Sequence, residues 1–479
     1  MRWLLPLCVV LLIGAGYRAG AQSGLLTGEL QHTPMLPAGE EFRHYQVFRI
    51  DAAAWSESVL NHPSGLWLEL DTLRLPLRLE PAGRYRPDSR LRVRTVKGET
   101  TLPGRQHSSW AGHVSLPGGG SLRLTLTPDH VSGGFLFQDE TWILEPLWYR
   151  EPAASRDLVL LYRASEARIA PHSACLALPA PTSVPLPDAP PADPGADTRA
   201  IACKLVDYSA AADWQFFQTY GSADEALNRL ETVMGLVELQ YSSVFNQDYL
   251  FPFLEVFLSA CPTCDPPEWT SSNDAGALLG YFRDWAQAGG FALGHFDVSS
   301  LWTGRTLNAN VLGAAYIQGV CNGTFRYQVL RDFSPDNSLM RAMVSHEFGH
   351  SFSAVHDAGD GFIMSTPLNN TTQWSAASIQ FINNFTQSRF CLSNCYNDPP
   401  PVAQFEGLPR SGCAPLAVAF TDQSLNDPSA WSWSFPGASP QASNLQHPEV
   451  SYAARGSFTV SLTASNPFGN NTRTETQYI

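Results

Sequence analysis

The run His346-Glu347-Phe-Gly-His350-Ser-Phe-Ser-Ala-Val-His356-Asp357 constrains the fold of this chain more than any other feature. On a helix, residues four apart lie on one face, so His346 and His350 present two imidazoles to one point. Glu347 neighbours that face and reaches a water held there without itself being a ligand. His356 follows His350 by six residues, so the helix must stop and the chain must turn back to deliver a third imidazole. Three neutral imidazoles leave the fourth position of a zinc ion open for water, as a catalytic site requires. Zinc brings the pKa of such a water towards ~7, and Glu347 is placed to take its proton as the oxygen attacks a carbonyl. An amphipathic helix that merely carries histidines is the bland alternative, and the third histidine at this spacing argues against it.

The rest of the chain must build around that helix. At roughly 100–200 residues per domain, 479 residues imply two to four domains. The formal net charge of −14, without a basic block, excludes ordinary nucleic-acid binding and disfavours an anionic membrane surface. Residues 1–21 read as a secretory signal peptide. Arg2 supplies the positive charge, Trp3 to Gly16 is apolar but only 14 residues long, and Ala19-Gly20-Ala21 offers small residues before a cleavage point. No other run is long enough to span a bilayer, so a soluble, secreted (extracellular) product is expected. Of nine cysteines, Cys8 leaves with the signal. The other eight are sparse, which suits staples on domains that already have cores.

Residues 22–175 read as strands. Leu66-Trp-Leu-Glu-Leu, Arg92 to Val96 and Ser121-Leu-Arg-Leu-Thr-Leu-Thr alternate with period two, punctuated by Gly118-Gly-Gly and Gly133-Gly134. Residues 176–200 hold seven prolines and read as an extended linker, with Arg199 at its end as a place for proteolysis. Residues 201–396 mix periods. Helical spacing runs from Ala223 to Ser243, Asp274 and Asp336 are N-caps of further helices, and Phe251 to Leu258 and Val311 to Val320 are strand-like. From Asp398-Pro-Pro-Pro the pattern returns to short strands, and residues 400–479 read as a small β-sandwich. The strand-like end at Thr476-Gln-Tyr-Ile leads us to expect a C-terminal continuation.

The zinc motif resembles that of the metzincin metalloproteases, and Asp357 directly after the third histidine points to the adamalysin, or reprolysin, branch. Gly361-Phe-Ile-Met364-Ser resembles the Met-turn of that clan. That family usually has Gly where this chain has Ser353, because the helix ends there with positive φ; a serine in that conformation costs about 1 kcal/mol. Gly313-Ala-Ala-Tyr316 resembles the edge strand that pairs with substrate, an ordinary edge strand being the alternative. The N-terminal region resembles a reprolysin propeptide, through Gly112-His-Val-Ser, Ser121-Leu-Arg-Leu-Thr-Leu and Trp142-Ile-Leu-Glu-Pro. Residues 400–479 resemble a PKD domain, through Trp431-Ser-Trp-Ser-Phe and Gly456-Ser-Phe-Thr-Val-Ser-Leu-Thr.

The resemblance implies a multidomain fold: an all-β propeptide, an α/β metzincin-like catalytic domain with a mixed sheet and an active-site helix, and a C-terminal Ig-like β-sandwich. It implies a secreted zinc endopeptidase made as a zymogen, with His346, His350 and His356 on zinc, Glu347 as general base, and protein or peptide substrates. The PKD domain would bind extracellular protein or carbohydrate, or space domains. A Cys321–Cys391 disulfide follows from the family pattern, and Cys261-Pro-Thr-Cys264 suits a local bridge. Cys175 is where a propeptide thiolate would take the fourth zinc position, a structural cysteine being the alternative; Leu176 follows it where the family has Gly. A calcium site is implied at Asp207, Asp297, the Cys391 carbonyl and Asn394, two solvated surface acids being the alternative. The rival to an enzyme is a non-catalytic adhesion or binding protein working through its PKD module. Retention of Glu347 beside intact ligands argues against that. Zinc hydrolysis of a non-peptide amide stays open on the ligands alone.

Overall fold

The computed structural model describes residues 24–31, 44–62, 65–105, 108–167, 174–179, 202–242, 244–245, 247–389, 391–394, 401–424, 428, 430–466 and 469–479. The expected signal peptide, and residues 180–200 of the expected linker, lie outside the described residues. These divide into two compact units. One lies within Met1–Ala189, Val206–Phe245 and Phe251–Cys391, the other within Pro190–Leu205, Asn246–Leu250 and Leu392–Ile479. None of the described helices is long and apolar enough to cross a membrane.

The first unit opens with a closed barrel. Its strands follow the order Gly24–Leu30, Gln46–Ile50, Leu158–Arg163, Glu140–Pro146, His130–Phe137, Gly119–Thr127, Ser109–Val114, Leu73–Pro81 and Leu66–Leu70. The last strand closes on the first in parallel. Alternating apolar residues, among them Leu26, Phe48, Leu68, Leu77, Leu122 and Phe135, turn inward and fill it. The all-β expectation needs correction, because Ala52–Asn61 is helical. Asp51 caps this helix, accepting from Ala54 N at 2.9 Å. Trp55 and Val59, one turn apart, enter the barrel core.

A second sheet has eight strands, in the order Ala174–Pro179, Val311–Ile317, Tyr327–Arg331, Val298–Thr303, Tyr208–Ala212, Phe253–Ser259, Tyr85–Thr95 and Gly98–Pro103. Two expectations differ here. The hairpin Tyr85–Pro103, read as part of a separate N-terminal domain, leaves the barrel and pairs with Phe253–Ser259. The reason is buried charge: Glu255 on that strand is fully buried and takes Arg92 Nη1 of the hairpin at 2.7 Å. Residues 176–179, read as the start of the linker, belong to the strand Ala174–Pro179, which adds in parallel to the edge strand Val311–Ile317. Proline is tolerated at such an edge, and Leu176 and Leu178 alternate onto an apolar cluster.

Helix Ala275–Trp285, capped by Asp274, packs on one face of this sheet against Ala211, Phe257, Leu301 and Val329. Helix Ala223–Ser242 is buried from Ala226 to Tyr241, so it needs cover on every side. It has the helix Asn337–Ser351 on one side and barrel strands Gly119–Thr127 and His130–Phe137 on another. Its buried acids are paired by residues preceding the expected linker. Glu238 takes Arg84 Nη2 at 2.9 Å and Arg123 Nε at 3.1 Å, and Glu231 accepts from Tyr85 OH at 2.7 Å and Ser109 Oγ at 2.8 Å.

The second unit holds two four-stranded sheets. One runs Phe405–Leu408, Leu416–Asp422, Glu449–Tyr452, Ala438–Ser439; the other runs Ala442–Ser443, Ala430–Ser434, Val460–Asn466, Gly469–Glu475. Their shared core contains Val418, Phe420, Trp433, Phe435, Tyr452 and Leu462, which is the expected sandwich. A three-stranded sheet of Gln247–Leu250, Ala202–Leu205 and Ser393–Asn394 belongs to the same unit.

Candidate metal centre

The helix Asn337–Ser351 begins where Asp336 accepts from Ser338 N at 2.7 Å and Leu339 N at 3.2 Å. One acid was not foreseen from the sequence. Glu145, fully buried in the barrel wall, accepts from Asn337 N at 2.5 Å, from Arg150 Nε at 2.8 Å and from Tyr162 OH at 3.0 Å. A carboxylate at a helix N-terminus meets orphan N–H groups and the favourable end of the dipole. Burial nevertheless pushes Glu145 up to about 7. The one signal in the sequence was an acid following two apolar residues in Trp142-Ile-Leu-Glu145-Pro.

The helix stops as the motif requires. Ser353 adopts φ 86°, and its hydroxyl accepts from Gln318 Nε2 at 3.3 Å. The reversal returns His356 to the first two histidines. His350 Nε2 lies 3.1 Å from His346 Nε2 and 3.1 Å from His356 Nε2. His346 Nδ1 bonds the Ile363 carbonyl at 2.7 Å and His350 Nδ1 the Ala354 carbonyl at 2.8 Å. Those carbonyls hold the proton on Nδ1 and turn the Nε2 lone pairs inward. Burial holds the pKa of His346 well below its ordinary value and that of His350 down at about 4, which favours neutral imidazoles.

Cys175 Sγ stands over this triangle, 3.0 Å from His346 Nε2 and 3.4 Å from the Nε2 atoms of His350 and His356. A tetrahedral ion with bonds of about 2.0–2.1 Å has edges of about 3.3–3.4 Å between nitrogen donors. The four donor atoms therefore have the chemistry and spacing of a small, closed, four-ligand set that suits zinc. Burial, then the charge of Glu347, pushes the Cys175 thiol well above its ordinary pKa.

Glu347 is fully buried, and neither of its carboxylate oxygens has a hydrogen-bond partner. Burial pushes it up to about 8, with the neighbouring Cys175 thiol drawing it down. Its space depends on Gly313 of the edge strand, because a Cβ there would stand 2.3 Å from Glu347 Oε1. Gly349 plays the matching part on the helix, where a Cβ would stand 2.4 Å from the sulfur of fully buried Met364. Met364 thus packs directly under the histidine helix. Asp357 N donates to the Met364 carbonyl at 2.9 Å. The Asp357 carboxylate accepts from Ser375 Oγ at 2.6 Å and Ser378 Oγ at 3.2 Å, tying the turn to the helix Ala376–Gln387. The sequence pattern pointed to Met364 and Asp357; the need for glycine at 313 and 349 emerges only from the packing.

The expected calcium residues come together in part. Asp207 N donates to Asp297 Oδ2 at 2.9 Å. The Asp207 carboxylate faces Arg86 Nε at 3.4 Å, and its Oδ1 is buried without a hydrogen-bond partner. Burial, with the charge of Asp207 adding to it, pushes Asp297 up to about 7. Asp297 lies beside the sulfurs of Cys321 and Cys391, which are bonded to each other; the donor expected from Cys391 is its carbonyl, not its sulfur. The side chain of Asn394 lies outside the described residues. Cys261 and Cys264 form the local bridge, and Cys203 is also disulfide-bonded. Cys175 and Cys413 are free.

Residues 203–394 match metallo-peptidase family M12 (Reprolysin_5), and residues 404–478 match the PKD domain. Three similar proteins are metalloproteinases. Snake venom metalloproteinase TM-1 of Protobothrops mucrosquamatus is 27% identical over 112 residues, 23% of this chain and 55% of the relative. Trimerelysin-2 of Protobothrops flavoviridis is 29% identical over 91 residues, 19% of this chain and 45% of the relative. The zinc metalloproteinase recombinant fibrinogenase II of Deinagkistrodon acutus is 29% identical over 90 residues, 19% of this chain and 39% of the relative. The chain thus spans about half the length of these relatives.

Proposed function

We propose, from a metallo-peptidase M12 domain at residues 203–394 and a PKD domain at residues 404–478, that this chain is the precursor of a secreted zinc endopeptidase. The observation that carries the reading is the histidine triangle with the unpartnered carboxylate of Glu347 beside it, under an edge strand. His346, His350 and His356 would hold zinc through Nε2, which supplies a Lewis acid and makes water a nucleophile near neutral pH. Glu347 accepts the proton of the attacking water at its carboxylate and returns it to the leaving amine. Strand Val311–Ile317 holds the substrate backbone by main-chain hydrogen bonds. In the precursor, Cys175 fills the water's position, and its strand occupies the same sheet edge. A calcium ion at Asp207 and Asp297 would replace Arg86 as counter-charge once the N-terminal region is removed. The PKD domain serves as a binding module for extracellular protein or carbohydrate.

The test is Glu347→Gln in processed protein. It should retain zinc, measured by elemental analysis, and lose peptide hydrolysis by several orders of magnitude; His350→Ala should lose the metal as well. An active Glu347→Gln enzyme would sink the mechanism.

A further inference from the structure

The strand Ala174–Pro179 does more than carry Cys175. Its register against the edge strand pairs Cys175 with Gly313, Leu176 with Ala314, Ala177 with Ala315 and Leu178 with Tyr316. Paired residues of a sheet share a face, and successive residues alternate between faces. Cys175 faces the histidines. Leu176 and Leu178 face the other way, sharing that side with Ala314 and Tyr316. There they pack against the cluster that includes Ala275, Leu278 and Leu279 of the helix Ala275–Trp285.

That helix leaves room for them at one residue. A Cβ on Gly276 would lie 3.4 Å from Asp274 Oδ1, 3.5 Å from Leu176 Cδ2 and 3.9 Å from Leu178 Cδ1, so a longer side chain at 276 that extends over the strand would compete for the space the leucines use. Arg283 Nη1 donates to Tyr316 OH at 3.3 Å, which steadies the far wall. The result is an apolar shelf roofed by helix backbone, on the face of the sheet away from the metal, holding two leucines spaced by one residue.

We propose that this shelf is a pair of substrate subsites for medium-sized aliphatic side chains. A peptide paired with Val311–Ile317 in place of the precursor strand puts the residues opposite Ala314 and Tyr316 onto the shelf, whichever way it runs. The enzyme then selects Leu- or Met-like residues at two positions, one residue apart, on one side of the scissile bond. This rests on the endopeptidase reading above and adds the substrate class. Removing several methylenes from a hydrophobic subsite costs tenfold or more in kcat/KM, so Leu should exceed Ala by at least about tenfold at each position.

The experiment is mass-spectrometric cleavage profiling of a peptide library by the zinc-loaded processed protein and its Gly276→Leu variant, with Gly276→Ala as the milder change. Wild type should enrich Leu and Met at two positions spaced by one residue. Gly276→Leu should cut that preference about tenfold. Cleavage without paired enrichment, or an unaltered preference in Gly276→Leu, overturns the shelf. A zinc-loaded protein that cleaves nothing overturns the endopeptidase reading, and the substrate assignment with it. Hydrogen exchange of the unprocessed precursor needs no activity. Leu176→Ala with Leu178→Ala should speed exchange of the amides at 174–178 at least tenfold, and unchanged exchange shows that the shelf does not grip these side chains.

Discussion

Gly313→Ala adds one methyl group at the point where the edge strand meets Glu347, the proposed base. Its Cβ would stand 2.3 Å from Glu347 Oε1, 2.5 Å from Cδ and 2.6 Å from Cγ, where ordinary contact begins at 3.4 Å. The carboxylate must therefore withdraw by roughly 1 Å, and a displacement of that size at a reacting group costs about 100-fold in rate. Glu347 is fully buried, so the withdrawal also overpacks its surroundings, at about 1–3 kcal/mol of stability. The assay is kcat/KM of processed protein on a quenched fluorescent peptide, with Tm and zinc content measured on the same samples. Zinc should stay, because the histidines are untouched. Gly323→Ala is the control, since a Cβ there meets nothing within 4 Å. Activity within about threefold of wild type at unchanged Tm would refute the idea that this strand packs against the base.

Cys175→Ser in the precursor should release measurable peptidase activity without processing, because the serine hydroxyl is a far poorer zinc ligand than a thiolate; a variant as latent as wild type removes the switch. Glu145 predicts a pH effect. Its folded pKa of about 7 lies above the ordinary 4.5, so between those values the folded protein binds a proton the unfolded chain has released. Its contribution to stability falls as pH rises through that window. The stability of wild-type precursor relative to Glu145→Gln should therefore be lower at pH 8 than at pH 5 in urea unfolding, and a difference that grows with pH refutes the assignment. Calcium should raise the Tm of the processed wild type and leave Asp297→Ala unmoved; no response in either protein removes the site.

The candidate metal-binding group was largely legible in the sequence because it is local. His346, Glu347 and His350 are fixed relative to one another by helical periodicity, Asp336 marks where their helix starts, and a turn after His350 follows from the need to bring His356 back, whereas the positive φ at Ser353 was implied by the family resemblance. Strand character was equally legible in Tyr85–Thr95, since alternation is a property of neighbours. Which sheet that strand joins was not, because the choice depends on burying Glu255 against Arg92, 163 residues away in the chain. Proline content hid the strand Ala174–Pro179 for the same reason: its partner edge is distant in sequence, and its leucines are satisfied only by a helix a hundred residues later. Local spacing determined which groups could do chemistry, whereas the space around Glu347, the acid at the helix N-terminus and the shelf under Gly276 were decided by tertiary packing, because excluded volume and buried charge are properties of surfaces that meet only once the chain has folded.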